Sequence, residues 1–458
     1  MSELPGLVAE LRAALSSAPP YWLVGGAVRD RLLGRRLHDF DFVTVGDGVA
    51  LARAAAQQLG ADFYPLDAER GVGRVLLTRG AERLKLDFAR MRGDELAADL
   101  AARDFTINAM ALDPAAPEAL IDPTGGQADL RAKVIRQCGP RSLSDDPVRT
   151  IRAVRLAMQL GFRLDPATRA AVRAAAPALP GVAAERRRDE FLRCLGGPNP
   201  AGALRNLAVL GLLAGLAPEL ATNGPGWEHT LASVERLSDL LGALAPVHDL
   251  EAASDLTLGL VSVRLGRHRA ALGRHLQAPL SDERPAHWLM VLAATLATLD
   301  AATARARLTT LRLSTDEVRH VGMLLDGLPA LARLAGELPV TNRAIYRYYR
   351  AHGAAGVEAA LLGLADFLAG FVGAPPTEAW NEWLEAAAAL LRAYFETPEE
   401  AVNPPALVNG DDLLGELGLK PGPRVGALLE AVREAQAAGE VSDRAGALVL
   451  ARELAAND

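Results

Sequence analysis

The segment over residues 23–43, LVGGAVRDRLLGRRLHDFDFV, constrains the fold more than any other part of the chain. An apolar run at residues 21–24 predicts a strand that ends at the turn Gly25-Gly26, and a helix is predicted from residue 27 to residue 34. The next residues, Asp39-Phe40-Asp41-Phe42, alternate between polar and apolar, which predicts a second strand. Successive side chains of a strand point to opposite faces, so both carboxylates lie on one face and both phenylalanines on the other.

This arrangement suits metal-assisted phosphoryl transfer. Backbone N–H groups at a glycine turn that opens a helix can bind phosphate. Two carboxylates on one strand face, Asp39 and Asp41, can hold the pair of Mg²⁺ ions that activates an attacking hydroxyl and stabilises a leaving pyrophosphate. Taken singly, Gly-Gly mostly marks a tight turn and Asp-x-Asp a solvated strand. Together, and in this order, they favour phosphoryl transfer.

Composition restricts the class of protein. At 458 residues the chain has room for about two to four domains with apolar cores. No uncharged apolar run reaches 18 residues, and the N-terminal sequence MSELPGLVAELRAAL is typical of an amphipathic helix, not of a signal peptide. The two cysteines, Cys138 and Cys194, predict neither a disulfide framework nor a metal site. We therefore expect a cytoplasmic protein with no membrane partner.

Charge and aromatic content bear on nucleic-acid binding. The net charge of −7 argues against a uniformly basic binder but leaves room for a local basic surface. Aromatic residues make up only 5% of the chain, so stacking on single-stranded RNA has little support. Any RNA contact is expected to join arginine to phosphate.

Residues 1–140 mix short strands and helices. A helix is predicted over residues 48–59, and strands over 61–66, 73–78 and 83–89. In the last strand the apolar side chains share one face, and Lys85 and Asp87 share the other. Asp87 is therefore available as a third carboxylate beside Asp39 and Asp41, although a solvated strand position explains it equally well.

GGAVRD followed by DFDF resembles the signature of the class II tRNA nucleotidyltransferases, the family of CCA-adding enzymes and bacterial poly(A) polymerases. The resemblance implies an α+β fold with a polymerase-beta-like mixed-sheet nucleotidyltransferase head at residues 1–140. An all-helical neck at 141–200, a body at 201–340 and a tRNA-binding tail at 341–458 would follow. It also implies transfer of nucleotides from CTP or ATP to the 3′ end of tRNA, with Mg²⁺ as the cofactor.

The same resemblance assigns roles to the opening residues. It implies that Asp39 and Asp41 hold Mg²⁺, and that Asp87 is the acidic residue which the family carries on a late strand of its sheet. The residues implied to bind the nucleotide here are those of the glycine turn and of the pair that follows it, namely Gly25, Gly26, Arg29 and Asp30.

A second matching segment, RDFTINAM at residues 103–110, resembles the family motif RRDFTINAM. The implied role is contact with the ribose and phosphates of the incoming nucleotide. Ala102 stands where the motif has its first arginine, so only Arg103 and Asp104 carry over. Asp104 also occupies a position suited to a helix N-cap, which is its alternative role. Residues 122–130 resemble the family's hinge between head and neck.

Base selection is implied by DDPVR at residues 145–149, which resembles the family motif EDxxR with Asp145 in place of glutamate. Asp146 and Arg149 lie three residues apart on a predicted helix, for which Ser144 or Asp145 is the predicted N-cap. A carboxylate and a guanidinium can together read the pairing edge of cytosine without a template. The alternative is an ordinary ion pair.

Further arginines extend this region. Arg152 and Arg155 continue the same predicted helix and are assigned to nucleotide binding. Residues 185–190, ERRRDE, resemble the family motif ERxxxE, which implies that Arg186 and Glu190 orient the base-reading helix; a surface pair is the alternative. Residues 131–193 contain fourteen basic and six acidic residues, so they are the best candidate for a surface facing tRNA or a triphosphate.

The connection between Asp87 and Arg103 is short, with fifteen intervening residues. Most members of the family that the chain resembles carry a longer, mobile loop here, which helps the site to switch from cytosine to adenine addition. Members that add only the two cytosines lack it. We therefore favour a CC-adding enzyme that acts in sequence with a separate A-adding enzyme, although a neutral shortening of a surface loop is the alternative. Complete CCA addition, A addition, poly(A) synthesis and a catalytically silent RNA-binding scaffold stay open.

Beyond residue 200 the spacing of leucine and alanine predicts helices almost throughout. Many relatives carry a metal-dependent phosphohydrolase domain here, and Glu228-His229 resembles its start. Val263-Arg264 stands where the metal-binding His-Asp pair is expected, and His248-Asp249 lacks the expected context. We predict a degenerate domain without a hydrolase metal site.

In the tail, residues 341–350, TNRAIYRYYR, place three arginines on one helix face, either to bind tRNA phosphates or as a solvated face. After a boundary at residues 403–405, residues 407–432 resemble the tail module of the tRNA-handling members.

Overall fold

A computed structural model describes residues 4–80, 82–220, 222–245, 256–281 and 284–457 of the chain. The chain divides into two compact units. The first comprises residues 1–183 and 209–215, and the second comprises residues 184–208 and 216–458.

The first unit is built on a mixed sheet. Within the described residues seven strands form it in the order β3-β4-β5-β2-β1-β6-β7, with β2 and β5 parallel and the other neighbours antiparallel. The strands are β1 Tyr21–Val24, β2 Asp39–Thr44, β3 Asp62–Asp67, β4 Val72–Arg79, β5 Glu82–Arg90, β6 Ala111–Asp113 and β7 Ala116–Ile121. The mixed-sheet head predicted from the sequence is confirmed.

The helices of the first unit begin and end as follows: α1 Leu4–Ala14, α2 Gly26–Leu32, α3 Gly48–Leu59, α4 Leu96–Ala101, α5 Gly126–Arg131, α6 Ser142–Asp145, α7 Val148–Leu160 and α8 Pro166–Ala175. Short 3₁₀ helices span Thr106–Asn108, Ala176–Gly181 and Leu213–Gly215, and a parallel pair of strands joins β8 Val134–Ile135 to β9 Arg163–Leu164. The sequence prediction for α3 was right at both ends.

Packing of α3 on the sheet depends on Gly48. A Cβ atom there would lie 2.4 Å from the carbonyl oxygen of Gly71 and 2.5 Å from that of Phe88, so only glycine lets the helix approach this closely. The Asp47 carboxylate caps the helix by accepting the N–H of Val49 at 2.9 Å. Below the sheet, Phe42 stacks on Phe88 with ring centroids 4.9 Å apart.

One detail of the neck differs from the sequence prediction. Neither Ser144 nor Asp145 caps helix α7, because both lie inside the short helix α6, and Pro147 precedes the first residue of α7. The side-chain hydroxyl of Ser144 donates to the Arg141 carbonyl instead. The four residues of α6 form a separate turn, a feature that N-cap preference alone does not indicate.

The second unit is helical, as predicted. Its helices are α9 Ala184–Leu195, α10 Pro200–Val209, α11 Pro225–Ala243, α12 Leu256–Leu265, α13 Arg269–Gln277, α14 Ala286–Leu296, α15 Ala301–Thr310, α16 Thr315–Gly336, α17 Asn342–His352, α18 Ala355–Ala369, α19 Thr377–Phe395, α20 Pro398–Ala401, α21 Gly410–Leu417, α22 Pro423–Ala437 and α23 Arg444–Asn457. A 3₁₀ turn spans Gly266–His268, and two short strands, β10 Pro279–Ser281 and β11 Arg284–Pro285, pair antiparallel.

Helix α18 lies at the centre of this unit and packs against α11, α16 and α19. A second, smaller core belongs to the C-terminal segment, where Leu413, Val432 and Ala447 are buried among neighbours drawn from residues 407–455. Within the described residues no single helix is long and apolar enough to cross a bilayer; α17 and α18 pass such a test only together, across a bend of 103°.

Candidate active site

The two aspartates of β2 stand on the solvent face of the sheet. Asp39 and Asp41 are exposed, whereas Phe40 and Phe42, which alternate with them, are each 1% exposed. In the parallel pairing of β2 with β5, Asp41 lies directly beside Asp87. Asp87 therefore joins the carboxylate face, as the alternation predicted.

Asp41 lies in a concave part of this face, where its carboxylate remains accessible. Desolvation by the surrounding protein, followed by repulsion from Asp87, raises the pKa of Asp41 to about 6, although Arg103 acts in the opposite direction. Asp87 is itself paired: its two oxygens accept from Nε and Nη2 of Arg74, both at 2.7 Å. Asp87 thus adds negative potential at Asp41 while its own oxygens are held by Arg74.

The glycine turn lies next to Asp41 on this face of the sheet. Gly25 has φ +75°, and a Cβ there would lie 3.2 Å from Nη1 of Arg103 and 3.6 Å from Oδ2 of Asp41. Glycine is therefore required both by the backbone conformation and by the approach of these two groups. The N–H of Gly25 donates to the Met110 carbonyl at 3.3 Å, so this amide is already used by the sheet.

Arg29 is buried at the start of α2 and is 7% exposed. Its Nε and Nη2 donate to the carboxylate of Asp30 at 2.9 and 2.7 Å, and its Nη1 donates to Asn108 at 2.7 Å. All three guanidinium nitrogens are thus hydrogen-bonded inside the protein. This placement favours a role in ordering the glycine turn, and direct contact of Arg29 and Asp30 with a nucleotide stays a prediction.

Asp104 continues the same network. It accepts from the N–H of Phe105 at 2.7 Å, from Asn108 at 3.2 Å and from Arg152 at 3.1 Å. Desolvation raises the pKa of this buried carboxyl, but Arg152 and the other two donors outweigh it and hold the pKa below its ordinary value. The alternative role as a helix N-cap is wrong, because Asp104 accepts from the next residue and precedes the 3₁₀ turn by two positions.

A cavity of about 220 Å³ opens beside these residues. Among the described residues that line it are five arginines and two aspartates: Arg90, Arg92, Asp99, Arg103, Asp104, Arg149 and Arg152. Helix α7 supplies two of the arginines, so the tertiary fold brings α7 beside the C-terminal ends of β2 and β5. The excess of guanidinium groups makes the cavity suited to a polyanion such as a nucleoside triphosphate.

Of the predicted base-reading pair, Arg149 lines this cavity. Arg149 approaches Oδ2 of Asp146 with its Nε at 3.7 Å, and it is buried. Its two terminal nitrogens contact the carbonyls of Ala102, Arg103 and Ser142 at 3.2–3.3 Å. Arg149 therefore ties α7 to the segment that carries Arg103.

Two other predicted residues are not among the described residues that line this cavity. Arg155 is half-buried and donates to Gln159 at 3.3 Å, one turn farther along α7. Arg186 is exposed on α9 of the second unit, where the buried Glu190 lies 3.6 Å from Arg193. Their assignment to nucleotide binding stays a prediction.

Sequence reasoning missed several residues of the site. Asp99 is buried in the cavity wall and accepts from Arg103. Its position four residues before Arg103 was a readable signal, since residues four apart share a helix face. Asn108 was visible inside the quoted motif. Arg74 was hidden, because its pairing with Asp87 depends on strand register.

In the body, the residues expected of a hydrolase have other partners. His229 hydrogen-bonds Asp366 at 2.8 Å, and Arg264 pairs with Glu385 at 2.9 Å. His248-Asp249 lies outside the described residues.

The three arginines of α17 pair with glutamates of α22 and of the turn that follows it. Arg350 lies 2.8 Å from Glu430, Arg347 lies 2.6 Å from Glu434, and Arg343 lies 2.5 Å from Glu440. Because the side chains of Arg347 and Arg350 stay 66% and 64% exposed within these pairs, the two alternatives, a solvated face and a phosphate-binding face, stay predictions.

Two exposed aspartates on one strand, a glycine turn beside them and an arginine-lined cavity form the arrangement of a nucleotidyltransferase head. Comparison with known proteins agrees with this. Residues 21–136 match the "Poly A polymerase head domain", and residues 161–223 match the "Probable RNA and SrmB- binding site of polymerase A".

The chain belongs to the tRNA nucleotidyltransferase family. It is 34% identical to a CC-adding tRNA nucleotidyltransferase of Geobacter sulfurreducens, over 97% of this chain and 94% of the relative. It is also 34% identical to an A-adding tRNA nucleotidyltransferase of Deinococcus radiodurans, over 92% of each chain. A solved CCA-adding enzyme in complex with CTP has the same fold, with a TM-score of 0.65 and 22% identity over 100% of this chain and 95% of that one.

Proposed function

We propose that this protein adds two cytidines from CTP to the 3′ end of tRNA, as a CC-adding tRNA nucleotidyltransferase that acts in the cytoplasm. The observation that carries nucleotide transfer is the position of Asp41, which stands exposed between Asp87 and the Gly25 turn, with Arg103 beside it. The 3′-hydroxyl of tRNA attacks the α-phosphate of CTP, and pyrophosphate leaves. Catalysis rests on positioning and on neutralisation of charge.

The residues fit Mg²⁺ as the cofactor. Asp39 and Asp41 offer hard carboxylate oxygens on one face, which Mg²⁺ prefers, and the ion commonly keeps waters and substrate phosphates as its remaining ligands. The pKa of Asp41 is raised first by desolvation and then by repulsion from Asp87, and a bound cation would relieve that repulsion. When bound, Mg²⁺ would polarise the phosphate and lower the pKa of the attacking hydroxyl. Arg103 and Arg152 would bind the triphosphate.

The head, neck, body and tail are assigned to residues 1–140, 141–200, 201–340 and 341–458. The seven-stranded sheet of the described residues lies within residues 21–121, in support of the head, and the separate core formed from residues 407–455 supports a tail module.

Cytidine selection is assigned to Asp146 and Arg149. A carboxylate accepts from the exocyclic amino group of cytosine but repels the carbonyl that uracil carries at the same position. We expect Asp146→Asn to lower the ratio of kcat/KM for CTP over UTP by roughly tenfold or more, because an amide can donate to uracil. Steady-state incorporation of each nucleotide measures the ratio.

The neighbouring variant Asp145→Asn is the matched control. Asp145 is more exposed and lies 3.8 Å from Arg141, so its loss is expected to leave the ratio unchanged. An equal fall in incorporation of CTP and UTP by Asp146→Asn would show that Asp146 does not read the base.

The restriction to CC addition rests on the connection between β5 and the Arg103 segment. This connection is short and ordered: Met91 and Leu100 are buried in a small core with Val24 and Val43. The Met91 N–H also donates to the Thr44 carbonyl at 2.9 Å. A connection held in this way argues against the rearrangement that adenine addition would need after cytosine addition.

Incubation of the purified protein with tRNA that ends at the discriminator base tests the proposal. With CTP and ATP together we expect two cytidines and no adenosine, resolved by gel electrophoresis of the product. Addition of a third nucleotide contradicts the restriction and identifies a complete CCA-adding enzyme. Addition of adenosine only to tRNA that ends in CC identifies the A-adding activity named for the Deinococcus radiodurans relative.

A further inference from the structure

The carboxylate of Asp99 lies in the wall of the arginine-lined cavity, and the proposed function gives it no role. The side chain of Asp99, on α4, is 5% exposed and lines the cavity of about 220 Å³. A buried carboxylate needs charged or hydrogen-bonding partners, because desolvation otherwise makes its ionised form unfavourable. The partners of Asp99 therefore indicate what it does.

One partner is Arg103. Oδ2 of Asp99 accepts from Nη2 and Nε of that guanidinium at 3.2 and 3.3 Å. The remaining terminal nitrogen, Nη1, is the atom that lies 3.2 Å from the ideal Cβ position of Gly25. Asp99 thus binds two nitrogens of Arg103, and the third nitrogen faces the glycine turn next to Asp41. Because both bonds converge on one charged oxygen, they fix the position of the guanidinium and the direction in which Nη1 points.

The other partner is the short connection after β5. Oδ1 of Asp99 accepts the backbone N–H of Arg92 at 2.8 Å. One carboxylate therefore joins the connection to Arg103 with separate oxygens. Because Leu100, the next residue, is buried, the position of Asp99 is itself fixed by the core.

We propose that Asp99 is a positioning residue for CTP binding, which acts by holding Arg103 beside Gly25 and Asp41. The inference rests on the proposed function insofar as it takes Arg103 to contact the triphosphate. Asp99 does not touch the nucleotide in this assignment. It sets the orientation of the arginine before the substrate arrives, so that no binding energy is used to order that side chain.

The variant Asp99→Asn separates the two partners. An amide oxygen still accepts the N–H of Arg92, but the negative charge that holds Arg103 is lost. We expect the Kd for CTP, measured by equilibrium dialysis, and the KM for CTP to rise about tenfold, whereas the KM for tRNA stays unchanged. Asp99→Glu keeps the charge and is expected to recover part of the affinity.

A double-mutant cycle shows whether the effect passes through Arg103. In an Arg103→Ala background, where the four other arginines of the cavity keep CTP binding measurable, Asp99→Asn is expected to change the Kd less than about twofold. Asp47→Asn is the matched control: Asp47 also accepts a backbone N–H, that of Val49 at 2.9 Å, and its replacement is expected to leave the Kd unchanged.

Two results would overturn the inference. One is an unchanged Kd in Asp99→Asn, and the other is an equal rise in both backgrounds, which would mean that Asp99 acts through the fold of the connection. Failure of the proposed function would give a different result. The unmodified protein would then add no nucleotide to tRNA, whatever Kd values the double-mutant cycle gives.

Discussion

Replacement of Asp41 by alanine is expected to lower the rate of nucleotide addition by at least about three orders of magnitude. The variant lacks a carboxylate that would hold Mg²⁺, the ion that would neutralise charge in the transition state. The protein should keep its fold. Desolvation by the surrounding protein and repulsion by Asp87 raise the pKa of Asp41 to about 6, so at neutral pH ionisation of this side chain is less favourable in the folded state than in the unfolded chain. The melting temperature of the variant is therefore expected to equal or exceed that of the unmodified protein.

Two measurements on the same preparation check this: extension of tRNA with CTP, and thermal unfolding at pH 7. The matched control is Asp62→Ala, which removes another exposed aspartate at the start of the edge strand β3. Activity should survive in this control. Retained activity in Asp41→Ala, or loss of its tRNA binding together with activity, would contradict the role given to Asp41.

The second large effect is expected from Glu317→Ala in the helical unit. Glu317 is fully buried and receives Nε of Arg284 at 2.7 Å and Nη2 at 3.2 Å, while Ser314 donates its N–H to the same carboxylate at 2.8 Å. Removal leaves the Arg284 guanidinium buried without this partner. We expect the free energy of unfolding of this unit to fall by about 3–5 kcal/mol.

The adjacent residue provides the control. Asp316 pairs with Arg319 at 2.6 Å on the surface, where both side chains are mostly exposed, and Asp316→Ala should change stability by no more than about 0.5 kcal/mol. Urea titration followed by tryptophan fluorescence reports on the helical unit, since four of the five tryptophans lie in residues 216–458. Similar losses from both variants would show that the buried pair adds nothing beyond a surface one.

The local elements were readable from the sequence where one physical rule dominates. Alternation alone placed Asp39 and Asp41 on one face of β2, and the structure agrees because Phe40 and Phe42 are buried beneath them. The apolar period of α3 gave both of its ends. The N-cap of α7 was wrong, because several residues before Pro147 satisfy capping preferences equally well and the turn of α6 decides between them.

Charged residues were less predictable, because a charge pattern does not say which partner will meet it. The sequence indicated no partner for the arginines of α17, whereas in the structure glutamates from about 90 residues away pair with them. Arg29 matched a nucleotide-binding motif and is found buried on Asp30 and Asn108. The contacts with the glutamates and with Asn108 join residues that are distant in sequence, and helical or strand periodicity does not predict such contacts.

The sequence by itself determined the chemistry of the head: the order of glycine turn, Arg-Asp pair and paired aspartates predicted phosphoryl transfer, because each is a local pattern with a local geometry. Tertiary structure alone decided which residues contact the catalytic and nucleotide-binding side chains. The register of β4 and β5 puts Arg74 on Asp87. The packing of α7 brings Arg149 to the carbonyls beside Arg103, and α4 places Asp99 behind that arginine. These contacts form only when separate segments are packed together.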